Sequence, residues 1–372
     1  MKDNKKNILL IFSSYLPYHL DKAESIKDKA NFLSVGSFDD GYEEIQKANS
    51  TNINNIHILF PDKKVEDISF LKIQIKLFIE LLRRKEDKIF IGIGGNIRSY
   101  HPSIFIGVIF KRMVGKKVFA MFDTNFSDRE RNIFKEIVKA FFLIPFSGAL
   151  CSSPQSAAYF DFLSIKNKPR TTFGLNTFNS IKFRKEILNK KENPDQFIYV
   201  GRMSEEKNLY FLLEAYQRYL KTPSQEKIKL KLKMIGDGPQ LSLLKIRAKE
   251  LGLEDNIFMG VKNSLEISKE LNKSKALLLP SFTESWGLIV SEAVAMSVPV
   301  IASDKVNSKG YLIRQMVNGL CIEPDNLLGW TRALLKVAED EEFYNSLISN
   351  FEDYKTYMDV SSFREAITLL AK

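Results

Sequence analysis

Short apolar runs alternate along the chain with longer stretches of helical period. The runs lie at residues 8–12, 31–35, 88–93, 117–122, 148–152, 197–200, 231–235, 276–279 and 298–302. Runs of this length without polar alternation are typical of strands that are buried on both faces. Residues 71–84 have a helical period instead, with Leu71, Ile75, Phe78, Ile79 and Leu82 on one stripe. Strand alternating with helix predicts an α/β protein whose parallel sheets are covered by helices on both faces.

The chain is long enough for two domains. At 372 residues it exceeds what one hydrophobic core usually organises. A polar stretch at residues 184–196, which contains Asn193-Pro194, resembles a linker between two such α/β units. We therefore expect one domain at residues 1–185 and a second at residues 195–350.

Composition indicates a soluble globular protein, with 44% hydrophobic and 27% charged residues. No run approaches the roughly 20 apolar residues that a membrane-spanning helix requires. The longest candidate, at residues 140–151, is interrupted by Pro145, Ser147 and Gly148. Two cysteines, Cys151 and Cys321, form neither a disulfide framework nor a zinc pattern. We expect a cytoplasmic protein, since that cysteine usage fits a reducing compartment.

The net charge of +10 is unevenly divided. Residues 1–190 carry 31 Lys and Arg against 20 Asp and Glu, and the remainder carries 24 against 25. Such asymmetry favours an anionic partner, which is a lipid surface, a pyrophosphate-linked acceptor or nucleic acid, unless the lysine-rich faces are merely solvated. Segments 103–117 and 129–146 interleave basic residues with Phe, Ile and Val, a pattern shared by interfacial helices and by core helices with basic outer faces. Peripheral contact with an anionic membrane at its inner face is the resulting hypothesis.

The most informative stretch, residues 280–295, predicts a strand-to-helix junction. An apolar run at 277–280 is followed by polar turn residues, and apolar helical spacing begins at Leu288. Glu284 therefore falls in the loop and Glu292 in the helix. The start of a helix exposes unpaired N–H groups, so the backbone there is suited to phosphate oxygens. The residues concerned are Ser285, Trp286, Gly287 and Leu288.

Two glutamates separated by seven residues around Trp-Gly-Leu resemble the donor site of retaining glycosyltransferases of family 4. Residues 197–209 resemble the same family's glycine-arginine loop, with an apolar strand, Gly201-Arg202 and then Lys207. Further matches follow in the family's order at residues 234–239, 257–261, 299–302 and 318–319. The resemblance spans residues 195–325 and is much weaker over residues 1–190.

The resemblance implies the GT-B architecture, in which two Rossmann-like domains face each other across a cleft. It places the nucleotide-sugar donor on the second domain and the acceptor on the first, and residues 351–372 as a helix that crosses back to the first domain. It assigns Arg202 and Lys207 to the diphosphate, Glu284 to the donor sugar and Glu292 to the ribose. Gly201, Gly236 and Val261 would line the donor pocket, with Val261 beside the base.

Each of these residues also has an ordinary structural explanation. Arg202 and Lys207 have Glu205 and Glu206 beside them, as in a charged surface loop. A glutamate near a helix end complements the helix dipole. Gly-Asp-Gly-Pro at residues 236–239 is a common tight turn. The agreement of several motifs in sequence and spacing favours the functional interpretation.

The first domain departs from the family pattern. Residues 13–19 stand where many relatives have a Gly-Gly loop, and Asp123 stands near the place of a histidine. Asp123 is a candidate for hydrogen bonding to an acceptor hydroxyl, although a strand-end turn aspartate is equally consistent. His101 is a weaker candidate, with capping or packing as its alternative.

Several other classes of site lack their sequence patterns. The chain has no Asp-x-Asp, P-loop, His-Glu-x-x-His or Gly-x-Ser-x-Gly, and the glycines at residues 92–96 lack the third glycine of a dinucleotide fingerprint. We therefore expect no cofactor and no metal.

The sequence thus predicts a retaining, metal-independent glycosyltransferase of surface-polysaccharide synthesis. Its partners would be a nucleotide sugar and a saccharide acceptor, either free or lipid-linked. The alternatives are a GT-B hydrolase or epimerase of nucleotide sugars, or an inactive nucleotide-sugar-binding assembly subunit. Binding to nucleic acid would explain only the basic first half, so no nucleic-acid partner is expected.

Overall fold

The chain forms two compact α/β units. The computed structural model describes residues 6–12, 17–36, 56–63, 67–92, 101–126, 131–164, 170–180, 194–223, 229–253, 257–284, 286–351, 354 and 358–372. Unit 1 consists of residues 1–126, 130–179 and 360–372, and unit 2 consists of residues 127–129 and 180–359. Most of the predicted linker at residues 184–196 lies outside the described residues.

The described part of unit 1 contains a sheet of seven parallel strands in the order β3-β2-β1-β4-β5-β6-β7. The strands are Ile8–Phe12 (β1), Ala30–Gly36 (β2), Ile56–Phe60 (β3), Lys88–Gly92 (β4), Lys117–Phe122 (β5), Gly148–Cys151 (β6) and Arg170–Phe173 (β7). The helices between them are Pro17–Ser25 (α1), Phe70–Arg83 (α2), His101–Met113 (α3), Ile133–Leu143 (α4) and Pro154–Leu163 (α5).

Both faces of this sheet are buried, which explains the continuous apolar runs. On β1, Leu9 and Ile11 pack into a core layer that contains side chains of α2, α3, α4 and α5. The intervening residues of β1 point to the other layer, which contains side chains of α1. Local capping fixes where the helices begin: Asn132 accepts from the backbone of α4, and Ser153 accepts from that of α5.

The described part of unit 2 is built around a smaller parallel sheet of five strands in the order β12-β11-β10-β8-β9. Its strands are Gln196–Val200 (β8), Lys231–Ile235 (β9), Ser274–Leu279 (β10), Val300–Ser303 (β11) and Gly319–Ile322 (β12). Its α-helices are Leu209–Lys221 (α6), Leu241–Glu250 (α7), Ser264–Asn272 (α8), Leu288–Ala295 (α9), Leu327–Glu339 (α10) and Glu341–Ser349 (α11). A short 3₁₀ helix, Glu205–Lys207, precedes α6.

The last helix, Val360–Leu370 (α12), belongs to unit 1. Its buried residues Phe363, Ile367 and Leu370 pack in the same core layer as Ala23 and Ile26 on the α1 side of the sheet. The Val360 N–H also donates to the carbonyl of Phe178 over 3.0 Å. The chain therefore returns to its first unit after completing the second.

The predicted fold class, two parallel-sheet α/β domains, is confirmed. Each of the nine apolar runs overlaps a strand, whereas β3, β7 and β12 were not predicted. The helix expected near residues 71–84 is α2, but the stripe that indicated it faces solvent, with Leu71 64% exposed. The residues of α2 that pack on the sheet are Ile73, Gln74, Leu77 and Leu81. Among the described residues, no helix has the length and apolar character needed to cross a bilayer.

Candidate active site

The loops that follow the strands of unit 2 are held together at the carboxyl edge of its sheet. Backbone hydrogen bonds of 2.8–3.0 Å connect the loop after β8 to those after β9 and β10, and the loop after β10 to that after β11. The donor and acceptor pairs are Met203 with Asp237, Phe282 with Glu206, and Asn307 with Glu284. Ligands of open parallel sheets bind at this edge, so the candidate residues stand where such a site belongs.

Glycines allow two of these loops to touch. Gly236 has φ +135°, and a Cβ on it would lie 2.0 Å from the Gly201 carbonyl oxygen. Its N–H donates to the Gly260 carbonyl over 2.8 Å, which brings Val261 to the same corner with 70% of its surface exposed. The three residues expected in the donor pocket, Gly201, Gly236 and Val261, are thus neighbours in the structure. A side chain at position 236 would force the loops apart.

Lys207 and Glu284 form an ion pair in the centre of this edge. The Lys207 Nζ donates to Glu284 Oε2 over 2.5 Å, and the two side chains are 16% and 18% exposed. Asn208, in the left-handed conformation, anchors the turn that carries Lys207 because its Nδ2 donates to the carbonyls of Pro280 and Pro324. The sequence separates the two charged residues by 77 positions, and the sheet brings them into contact.

Tyr199 was not singled out from the sequence. Its hydroxyl donates to the Arg202 carbonyl over 2.8 Å. Burial, together with the charges of Glu284 and Glu206, raises the pKa of Tyr199 well above its ordinary value. Tyr199 occurs within the apolar run of β8, so the sequence alone does not indicate that its hydroxyl lies beside Arg202.

Arg202 presents its side chain to solvent. No carboxylate among the described residues forms an ion pair with it. The pKa of Glu206 is lowered first by the Ser204 hydroxyl, which donates to Glu206 over 2.5 Å, and the charge of Arg202 contributes to the same shift. Its guanidinium is therefore available for an anionic ligand.

The helix α9 begins beside the ion pair without a side-chain cap. Gly287, with φ +75°, is its first flanking residue, and a Cβ there would lie 3.4 Å from Glu284 Cγ. Trp286 is buried, donates to Ser291 Oγ over 3.2 Å and so fixes the approach to Gly287 and Leu288. Ser285 lies outside the described residues. Because the first N–H groups of a helix have no intrahelical partner, an end without a side-chain cap is suited to a phosphate.

Glu292 lies one turn into α9 and is half-buried. Desolvation raises its pKa from the ordinary value of 4.5 to about 7, and no charged neighbour contributes to the shift. An acid held in this way lowers the stability of unit 2 whenever it ionises. Retaining a costly carboxylate is typical of a binding site rather than of a structural position.

The candidates of unit 1 form a separate set. Asp123 follows β5 and is partly exposed, and the hydroxyls of Ser152 and Ser156 donate to its carbonyl over 3.4 and 3.3 Å. His101 begins α3, after the neighbouring strand β4, and its side chain is not among those that the structure describes. His19, which the sequence did not single out, is buried at the start of α1 with its ring 4.2 Å from that of Phe12.

Within the part of the chain that the structure describes, no three or more His, Cys, Asp or Glu side chains are grouped to hold a metal ion. The described donors of the site are instead cationic groups and backbone N–H groups, which suit an anionic ligand.

The second half of the chain matches a known family. Residues 180–353 match the family model described as glycosyl transferases group 1. A lipopolysaccharide 1,6-galactosyltransferase of Escherichia coli is 28% identical over 171 residues, which are 44% of this chain and 46% of the relative. A Campylobacter jejuni enzyme that is named an undecaprenol-linked GalNAc α-1,4-N-acetyl-D-galactosaminyltransferase is 26% identical over 174 residues, 47% of each chain. This chain thus spans less than half the length of these relatives in the matched regions.

Solved structures match along the whole chain. Anabaena Alr3699/HepE in complex with UDP and glucose has a TM-score of 0.71 at 18% identity, covering 98% of this chain and 99% of that one. The chain has the GT-B fold. A lipopolysaccharide outer core galactosyltransferase, WaaB, has a TM-score of 0.65 at 17% identity, covering 97% and 99%. The GT-B fold therefore extends over the first unit, where the sequence resemblance was weak.

Proposed function

We propose that this GT-B protein is a retaining, metal-independent glycosyltransferase that moves a sugar from a nucleotide-diphosphate donor to a saccharide acceptor. The observation that carries the proposal is the Lys207–Glu284 ion pair beside the uncapped start of α9. The eight-residue interval between Glu284 and Glu292 supports a place among the family 4 enzymes. The match of residues 180–353 to glycosyl transferases group 1 supports the reaction class.

The diphosphate would bind between a charged loop and a helix end. Arg202 supplies an exposed guanidinium, Lys207 supplies an ammonium, and the first N–H groups of α9 supply neutral donors. Lys207 also contacts Glu284, so one lysine would join the phosphate to the carboxylate that orients the sugar. Glu292, in its desolvated position, would accept hydrogen bonds from the ribose hydroxyls.

The reaction proposed is substitution on one face of the donor sugar. The acceptor oxygen forms a bond to the anomeric carbon while the bond from that carbon to the phosphate oxygen breaks on the same side. The nucleoside diphosphate departs, and the proton of the acceptor hydroxyl passes to the departing phosphate oxygen. Arg202, Lys207 and the N–H groups at Gly287 and Leu288 would stabilise the negative charge that develops there. Glu284 would hold the donor sugar during the exchange.

We propose that the acceptor is a saccharide carried on a lipid. The protein would act in the cytoplasm, in the synthesis of a surface polysaccharide. The names of two relatives support this class, one of which acts on lipopolysaccharide and one on an undecaprenol-linked glycan. Asp123, at the end of β5, is the candidate in unit 1 for hydrogen bonding to the acceptor hydroxyl. The excess of basic residues in the first half of the chain fits an acceptor that carries pyrophosphate.

Turnover of the Lys207→Ala variant tests the proposal. We expect a loss of turnover on the order of a hundredfold to a thousandfold, because the variant removes a charge that stabilises the leaving group. Lys229→Ala is a matched control, since Lys229 pairs with Glu339 at 3.0 Å in the same unit with similar exposure. Most ion pairs of this kind contribute little to protein stability, so that control should stay folded and keep its turnover within about twofold.

Glu284→Gln tests the second half of the pair. It should fold and should lose most turnover, because an amide neither balances Lys207 nor accepts from sugar hydroxyls as a carboxylate does. The product, followed by NMR at the anomeric centre, should keep the configuration of the donor and should form only when acceptor is present. Normal turnover in both variants, or release of free sugar regardless of acceptor, would overturn the assignment.

A further inference from the structure

The outer sides of three helices in unit 1 are unusually apolar. Of the 28 large hydrophobic side chains that are exposed among the described residues, 16 belong to α2, α3 and α4 and the residues directly following them. We call this set the apolar face: Phe70, Leu71, Ile75, Ile79, Leu82, Ile106, Ile109, Phe110, Met113, Val114, Ile133, Phe134, Ile137, Val138, Phe141 and Ile144. Met113 is 80% exposed and Phe134 is 75% exposed.

The three helices cover one side of the sheet. Their buried residues, including Leu77 of α2, Val108 of α3 and Leu143 of α4, belong to the same core layer. The helices α2, α3 and α4 connect β3 to β4, β4 to β5 and β5 to β6, and these three crossovers run in the same direction across the sheet. Because crossovers between parallel strands are right-handed, the three helices lie on one face of the sheet, opposite to α1 and α12. The apolar side chains that point away from the sheet therefore share a surface. A surface helix normally buries one apolar stripe, and these helices carry a second.

The charges on these helices have one sign at the surface. Their exposed charged residues are all basic: Lys72, Lys76, Arg83, Arg112 and Lys135. The two acidic residues of the helices are paired: the partly buried Glu80 with Arg84 at 2.7 Å, and the buried Glu136 with Lys139 at 2.9 Å. Among the described residues of these three helices, the exposed apolar side chains are thus accompanied by cations and by no exposed carboxylate.

This charge distribution selects the occupant of the face. A second copy of the chain in a two-fold dimer would present the same surface, so that cations would face cations. An anionic lipid surface offers what the face lacks, because its headgroups pair with Lys and Arg while its acyl boundary accepts Phe, Ile and Leu. We propose that unit 1 docks peripherally on an anionic membrane through the apolar face. This inference does not depend on the proposed reaction.

Binding of the full chain to lipid vesicles tests the docking surface. We expect flotation with vesicles that contain phosphatidylglycerol, weak flotation with phosphatidylcholine alone, and weaker binding as salt is raised. Each cation near an anionic surface strengthens binding roughly fivefold, so the double variant Lys72→Gln and Lys135→Gln should bind roughly thirtyfold more weakly.

A second double variant tests the apolar contribution. Phe134→Gln with Phe141→Gln changes exposed positions of α4, so the core is untouched and binding should fall at least tenfold. The matched control is Leu243→Gln with Ile246→Gln, since these residues of α7 in unit 2 are 55% and 57% exposed. That control should bind vesicles like the unmodified chain. Circular dichroism melts verify that each variant is folded.

Three results would overturn the proposal. The first is the absence of flotation with anionic vesicles at low salt. The second is equal loss of binding in the α7 control and the α4 variant. The third is a dimer in sedimentation that disappears in the α4 variant while no vesicle binding occurs, which would assign the face to a second copy. Since none of these measurements uses a donor, failure here leaves the proposed reaction to its own tests.

Discussion

Replacing Glu292 by glutamine should make unit 2 more stable at high pH. The pKa of Glu292 rises from 4.5 to about 7 because the folded chain desolvates the carboxylate. Below pH 4.5 the acid is neutral in both the folded and the unfolded state, and folding is not penalised. As the pH rises towards 7 the unfolded chain ionises first, and the folded state loses stability relative to it. Glutamine is neutral throughout and similar in shape, so it escapes this loss.

The size of the effect follows from the two pKa values. The difference between 4.5 and about 7 corresponds to about 3 kcal/mol of unfolding free energy once the acid is ionised in both states. At pH 8.5 the Glu292→Gln variant should therefore be more stable by about 3 kcal/mol, whereas at pH 5 the gain should be about 1 kcal/mol or less.

Urea unfolding followed by tryptophan fluorescence measures this effect selectively. The chain has two tryptophans, Trp286 and Trp330, and both are buried in unit 2. Their signal reports unfolding of unit 2 even if unit 1 unfolds separately. Glu250→Gln, at an exposed position of α7, is the control and should change stability by less than about 0.5 kcal/mol. A gain for Glu292→Gln that is the same at pH 5 and pH 8.5 would show that ionisation of Glu292 does not destabilise unit 2, as would a loss of stability at pH 8.5.

Three further expectations concern the same site. Gly236→Ala should destabilise unit 2 by at least about 2 kcal/mol in the urea assay, because its Cβ would lie 2.0 Å from a carbonyl oxygen. Gly252→Ala is the control: its φ is +69°, a Cβ there would meet no atom within 4 Å, and it should cost only about 1 kcal/mol. Equal losses in the two variants would show that the contact between the loops is not what position 236 requires. Arg202→Ala should raise the KM for the donor roughly tenfold with unchanged urea stability, since its side chain is exposed; an unchanged KM would remove it from the donor site. Turnover should be unaffected by EDTA, and a loss that Mg²⁺ or Mn²⁺ restores would disprove metal independence.

The sequence predicted the interior of both sheets better than their edges. Strands β1, β4, β8 and β10 are buried on both faces, so their composition is apolar throughout. The edge strands β3, β7 and β12 are partly exposed and have mixed composition, and the apolar-run criterion therefore missed them. β9 is also an edge strand, but its apolar residues were numerous enough to be recognised.

The face of α2 was beyond sequence reasoning for a different reason. The helix is apolar on two sides, and periodicity alone does not say which side the sheet covers. The stripe containing Leu71 and Ile75 was the more regular one, yet it is the one that faces solvent. Only the packing of Ile73 and Leu77 on the sheet distinguishes the two.

The candidate site shows a similar division. The junction at residues 280–295 follows the predicted order, with Glu284 in the loop and α9 beginning at Leu288. The contact between Lys207 and Glu284 and the position of Tyr199 depend on which strands are neighbours, and one sequence does not contain that information. The raised pKa of Glu292 likewise results from burial by the folded unit rather than from its neighbours in the chain.

We expect Lys207, Arg202 and the start of α9 to bind a diphosphate together. Urea unfolding of unit 2 with and without a nucleoside diphosphate such as UDP measures this binding, with tryptophan fluorescence as the signal. A ligand at about 100 times its dissociation constant should add about 2.7 kcal/mol to the unfolding free energy. Lys207→Ala should abolish this gain, and Lys229→Ala should retain it. If no nucleoside diphosphate stabilises the unmodified unit 2, or if Lys207→Ala is stabilised equally, the claim is wrong.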